Sequence, residues 1–90
     1  MSMVVTLKVM PSGVDVDLQA LTSKVLEVIK DLYPKTETRV EEQPIAFGLK
    51  ALIIKFVMPE TESTDTVEEK VRSLENIESA EVIDLRRAVG

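Results

Sequence analysis

Leu49-Lys50-Ala51-Leu52-Ile53-Ile54-Lys55-Phe56-Val57-Met58 is the stretch that decides the fold. Apolar residues occupy both alternating faces, broken only by Lys50 and Lys55, and Pro59 ends the run. A strand with one face in water alternates; one that is apolar on both sides belongs in the interior of a sheet. Directly upstream, Thr36 to Gln43 also reads as a strand, but a very polar one: Thr36, Glu37, Thr38, Arg39, Val40, Glu41, Glu42. That composition, with Pro44 adjoining it, marks an edge strand. The pair is therefore an edge strand and a central strand joined by a short hairpin.

Moving outward, Met3 to Met10 is a further strand, with Met3, Val5, Leu7 and Val9 on one face and Thr6 and Lys8 on the other. Pro11-Ser12-Gly13 stops it. Asp15 or Asp17 is placed to cap a helix in which Leu18, Leu21, Val25, Ile29 and Leu32 recur at helical spacing, with Val28 beside them. Tyr33-Pro34 ends that helix, because a residue before proline avoids helical dihedrals. After the central strand, Glu60 to Ser63 forms a polar loop. Ser63, Thr64 and Asp65 are candidate caps, and Asp65 with Glu68 has capping-box spacing. Val67, Val71 and Leu74 give a second helix its apolar stripe, and Asn76 is placed to help end it. Ala80 to Ala88 is the last strand; Val82 and Ile83 compete for its inward face, and Ile83 with Leu85 is taken as one face.

The order is β-α-β-β-α-β, an α+β arrangement with the signature of the ferredoxin-like split β-α-β sandwich. Right-handed crossovers, with the most apolar strands inside, give a four-stranded antiparallel sheet of order 4-1-3-2. Both helices cover one face. The other is open and should show Val4, Thr6, Lys8, Ala51, Ile53 and Lys55. Ninety residues with no linker composition make a single domain, 1–90.

Composition limits the chemistry. There is no cysteine and no histidine, so thiol catalysis, thiolate metal sites and the commonest general base are absent from the chain. The formal charge is −5, and Glu60 to Glu81 holds eight carboxylates against Lys70 and Arg72. A solvated helix face accounts for that run. An acidic domain repels phosphate backbones, which disfavours direct nucleic-acid binding. The longest apolar run, Ala51 to Ile54, is far short of a membrane span, and the N-terminus has no basic region followed by a long apolar stretch. Glu41-Glu42 and Glu68-Glu69 are adjacent in sequence, so their side chains diverge and neither makes a catalytic dyad. Familiar duties of this fold also lack their residues. Metal carriage needs a cysteine pair in the first loop. Acyl-phosphate hydrolysis needs a basic phosphate loop, which Pro11-Ser12-Gly13 is not. RNA readout stacks bases on aromatics of strands one and three, where only Phe56 stands. A small-ligand regulatory module stays open, since backbone groups can read such ligands.

The connection itself, Gln43-Pro44-Ile45-Ala46-Phe47-Gly48-Leu49-Lys50-Ala51-Leu52, carries one of only three aromatics where polar turn residues would suffice. Taken locally, Phe47 folds back over the core or stands out as an anchor. Pro44-Ile45-Ala46-Phe47-Gly48-Leu49-Lys50-Ala51-Leu52 resembles the central motif of the elongation factor 1-beta family. Thr6-Leu7-Lys8-Val9-Met10-Pro11, Val14-Asp15-Val16-Asp17-Leu18 and the ending Val82-Ile83-Asp84-Leu85-Arg86-Arg87 extend the likeness over essentially the whole chain. The single-domain length is similar to the archaeal form; eukaryotic relatives carry the unit as a C-terminal domain.

The resemblance implies a cytoplasmic guanine-nucleotide exchange factor of translation elongation. Its partner is elongation factor 1-alpha, it uses no cofactor, metal or covalent chemistry, and it contacts neither nucleic acid nor membrane. It loosens magnesium and the phosphate-binding region so that GDP leaves. Carried over by position, Phe47 is the partner-binding aromatic, with Pro44, Ala46, Gly48 and Lys50 around it. Arg87, with Arg86 beside it, takes the place of the lysine that eukaryotic members present toward the magnesium site. Arginine is larger, planar and more weakly hydrated than lysine, so it inserts differently. The topology puts Phe47 and Arg87 at opposite ends of the sheet, roughly 25 Å apart.

Overall fold

The computed structural model describes residues 2–87. In order, β1 (Ser2–Pro11), α1 (Leu18–Leu32), β2 (Arg39–Pro44), β3 (Lys50–Pro59), α2 (Asp65–Arg72) and β4 (Ile77–Arg87) alternate as the periodicities require. The sheet runs β2-β3-β1-β4 with every neighbouring pair antiparallel, which is the expected 4-1-3-2 order read from the other edge. The expected end of the last strand at Ala88 lies outside the described residues.

One face of the sheet makes the core. Val5, Leu7 and Val9 of β1 meet Leu52, Ile54, Phe56 and Met58 of β3. Against them pack Leu21, Val25 and Ile29 of α1 and Val67 and Val71 of α2. Tyr33, the residue after α1, stacks on Phe56 with ring centroids 5.7 Å apart and planes 16° from parallel. Two of the three aromatics are thus spent on the core. Tyr33 is buried beside Glu62, and loss of water and then the nearby carboxylate push its phenol above its ordinary range. On the open face, Thr6 pairs with Lys55 and Asp84, and Lys8 with Ile53 and Glu81. Thr6 and Ala51 face that side yet are covered by their neighbours, being 6% and 0% exposed.

Asp17 caps α1, its Oδ1 accepting from the Gln19 and Ala20 amides at 3.0 and 3.3 Å. β2 starts at Arg39 rather than Thr36. The Thr36 amide closes a turn on the Tyr33 carbonyl, and its hydroxyl accepts from the Val57 amide at 2.7 Å in place of a strand partner. The capping box expected at α2 does not form. Thr64 is the N-cap without a side-chain bond, and the Ser63 hydroxyl accepts from the Asp65 amide instead. Nor does Asn76 end α2, which stops at Arg72; Asn76 adopts a φ of 67° in the turn into β4.

Glu68 is free of the cap because it is used across the fold. Its Oε2 accepts from the Val82 amide at 2.9 Å, while Arg72 Nε donates to the Ala80 carbonyl at 2.9 Å. The two side chains lie 3.7 Å apart. α2 thereby satisfies backbone groups of the β4 edge that no strand covers, one of the ways edges are protected. The bulge lies next to this clamp: Thr6 faces Asp84 and Leu7 faces Val82, so Ile83 is the extra residue. The bulge decides the facing left open by the sequence. Val82 packs on the core, whereas Ile83 and Leu85 are 51% and 49% exposed, Leu85 lying opposite Val5 at the end of the sheet. Replacing Glu68 by Ala leaves the Val82 amide unpartnered in a partly buried setting. We expect a loss of about 1–2 kcal/mol in stability, measured by urea unfolding, with Glu68→Gln retaining part of it.

Candidate functional site

The hairpin between β2 and β3 is built around a tight turn. The Leu49 amide donates to the Ala46 carbonyl at 2.9 Å, and the two central residues, Phe47 and Gly48, have φ of 53° and 81°. Positive φ at both central positions is the type I′ pattern, whose twist matches that of paired strands. A second bond, Ile45 amide to Leu49 carbonyl at 2.9 Å, closes the loop below it. Glycine takes such a φ without cost; phenylalanine does not.

That turn holds Phe47 in water. The side chain is 97% exposed, so the fold-back reading is overturned and the ring makes no contribution to the core. Exposing a phenylalanine forgoes about 1.5–3 kcal/mol of burial, and its left-handed backbone adds roughly 1 kcal/mol or more of strain. An asparagine or glycine at this position would close the same turn without either cost. Pro44 ends β2 opposite Lys50, Ala46 is exposed beside Phe47, and Lys50 lies 3.7 Å from the Glu42 carboxylate across the hairpin.

Two apolar neighbours escaped the sequence reading as surface residues. Ile45 is 42% exposed, and Val14, in the β1–α1 loop, is 65% exposed. A Cβ added at Gly48 would meet Val14 Cγ1 at 3.7 Å, so the loop tip lies against the turn. Val14 was legible only as part of the Val14-to-Leu18 likeness, because contact between the two loops depends on the sheet order. Gly48→Ala has room for its methyl but not the backbone preference. We expect about 1 kcal/mol of destabilisation on thermal unfolding and weaker display of Phe47.

At the other end of the sheet stand the two arginines. Arg87 faces Met3, which also faces Met58, and Met58 lies eight residues along β3 from Lys50. At about 3.3 Å per residue this separates the arginine level from the hairpin base by about 26 Å. The sequence treated the arginines as one unit; the strand separates them. Arg86 pairs with Val4 on the open face, and its Nε donates to Asp84 Oδ2 at 2.9 Å. Arg87, on the helix side with Met3, donates from Nη2 to Glu60 Oε1 at 2.8 Å.

Other surfaces offer less. Among the described residues, no group of three or more acidic, His or Cys side chains could hold a metal ion. Phe56 and Tyr33 point into the core, so the open face has no aromatic on which a base could stack. Among the described residues, no helix is long and apolar enough to cross a membrane. A cavity of about 460 Å³ lies at the end of α1, lined chiefly by Leu32, Tyr33, Pro34, Met58 and Pro59.

Comparison with known proteins agrees with this layout. The EF-1 guanine nucleotide exchange domain family matches residues 4–88. Elongation factor 1-beta of Metallosphaera sedula is 42% identical over 92% of this chain and 91% of its own length. That of Methanothermobacter thermautotrophicus is 42% identical over 93% of each. The Nanoarchaeum equitans protein is 37% identical over 91% of this chain and all of its own. Among solved structures, the de novo designed protein Foldit4 superposes with a TM-score of 0.68, covering 99% of this chain and all of that one. At 17% identity that likeness concerns the fold alone. With the family matching nearly end to end and the exposed Phe47 turn at its centre, the chain belongs to the elongation factor 1-beta family of guanine nucleotide exchange factors.

Proposed function

We propose that residues 1–90 act as one exchange domain that binds elongation factor 1-alpha and speeds replacement of GDP by GTP in the cytoplasm. The observation that carries this reading is Phe47, an aromatic held 97% exposed on a strained turn. An exposed ring whose costs serve no folding purpose suits a pocket on a partner, and buried aromatics dominate interface energetics. Pro44, Ala46, Gly48 and Lys50 shape and flank the anchor. At the far end, Arg87 is the cation directed at the magnesium and phosphate site, with Arg86 adding positive charge beside it. A guanidinium there competes with the metal for the same anionic groups.

No covalent step is needed. A factor that favours the nucleotide-free partner over the GDP-bound one lowers GDP affinity by the same factor, because the coupling is reciprocal. The net charge of −5 fits a role without direct nucleic-acid contact. The test is that reciprocity. This protein should co-elute with nucleotide-free elongation factor 1-alpha on gel filtration, and added GDP with magnesium should disperse the complex. Failure to form a complex, or a complex indifferent to GDP, would remove the reading.

A further inference from the structure

Arg87 is engaged before any partner arrives. Its bond to Glu60 crosses 27 residues of sequence and links the end of β4 to the residue after β3, over the intervening β1. The two ends of this bond differ. The Glu60 side chain is 32% exposed and that of Arg87 is 66% exposed, so the carboxylate is the seated member and the guanidinium the free arm. Arg86 differs again: it pairs with Asp84 two residues away on its own strand, and that carboxylate travels with it.

Resting on the exchange reading above, we propose that Glu60 is a positioning residue that holds Arg87 in reserve and thereby limits the maximal exchange rate. To reach an anionic site on the partner, the guanidinium must leave the carboxylate 2.8 Å away. That cost falls when the carboxylate becomes an amide. Exposed ion pairs are weak, so Glu60 tunes the rate and does not abolish it. In exchange, the pair keeps Arg87 from binding one of the seven other carboxylates from Glu62 to Glu81 at random.

The experiment follows release of a fluorescent GDP analogue from elongation factor 1-alpha across a concentration series of the full-length protein. It uses wild type, Glu60→Gln, Glu60→Asp, Arg87→Met and the Glu60→Gln/Arg87→Met double variant. Glu60→Gln should raise the plateau rate by about two- to fivefold with half-saturation unchanged, and Glu60→Asp should return toward wild type. In the Arg87→Met background, Glu60→Gln should have no effect, since Glu60 acts only through Arg87. A Glu60→Gln plateau at or below wild type would overturn the proposal, as would a gain that persists without Arg87. Either result with an active wild type leaves the exchange reading intact. A wild type that does not accelerate release overturns the exchange reading itself, and this proposal with it.

Discussion

Phe47→Ala is expected to weaken binding to elongation factor 1-alpha by about 2 kcal/mol or more, roughly thirtyfold in Kd, while the unfolding midpoint stays where it was. The two halves of that expectation have one cause. Phe47 is 97% exposed and touches no core residue, so truncating it removes nothing that holds the domain together. Surface substitutions of this kind stay within about 0.5 kcal/mol of neutral, and here the residual effect is loss of an exposed apolar ring. On the exchange reading, its energetic value lies in a partner's pocket. Titration of nucleotide-free elongation factor 1-alpha with both proteins, beside their thermal unfolding curves, checks both halves. Binding unchanged would show that the exposed ring is not the anchor. A large drop in the unfolding midpoint would show that it is packed in solution.

Arg87→Ala is expected to lower the maximal rate of GDP release by about tenfold or more, with little change in the concentration giving half the effect. The expected loss is electrostatic in origin. Magnesium and phosphate are mutually compensating charges, and a cation brought among them weakens the metal's hold. Removing the cation leaves the grip at Phe47, beyond a hairpin base some 26 Å away, untouched. Arg86→Ala should cost less than about threefold. Its side chain belongs to the open face and is committed to Asp84, so it contributes only to the local potential. Equal losses from Arg86→Ala and Arg87→Ala would mean that net positive charge, not a directed side chain, promotes release.

Much of the fold was legible because the strongest signals were strand interiors. The run from Leu49 to Met58 placed β3 inside the sheet, and the polar Thr36-to-Gln43 stretch placed β2 at an edge, where both lie. The errors fall where side chains serve distant backbone. Thr36 looked like strand but supplies its hydroxyl to Val57. Glu68 looked like half of a capping box but accepts from Val82, because the bulge at Ile83 leaves an amide of the β4 edge in need of a partner. Periodicity holds no information about such long-range bonds. The facing of β4 was ambiguous for the same reason, since a bulge resets the alternation on which the reading depends.

The residues of the proposed site stood out by type, but their geometry did not. Phe47 stood out by type and position, yet only the pair of positive φ values, 53° and 81°, explains why it points into solvent. Val14 joins it through a loop contact beside Gly48 that no local pattern announces. Adjacent arginines looked interchangeable until the strand sent them to opposite faces, one toward Asp84 and one toward Glu60.

On the exchange reading, the two ends of the sheet divide the labour. The most direct measurement of that division is the saturation curve for release of a fluorescent GDP analogue from elongation factor 1-alpha, recorded for wild type, Phe47→Ala and Arg87→Ala. Phe47→Ala should move half-saturation by more than about tenfold and reach nearly the wild-type plateau, while Arg87→Ala should lower the plateau and leave half-saturation almost in place. Half-saturation and plateau changing in the same proportion in both variants would contradict the account.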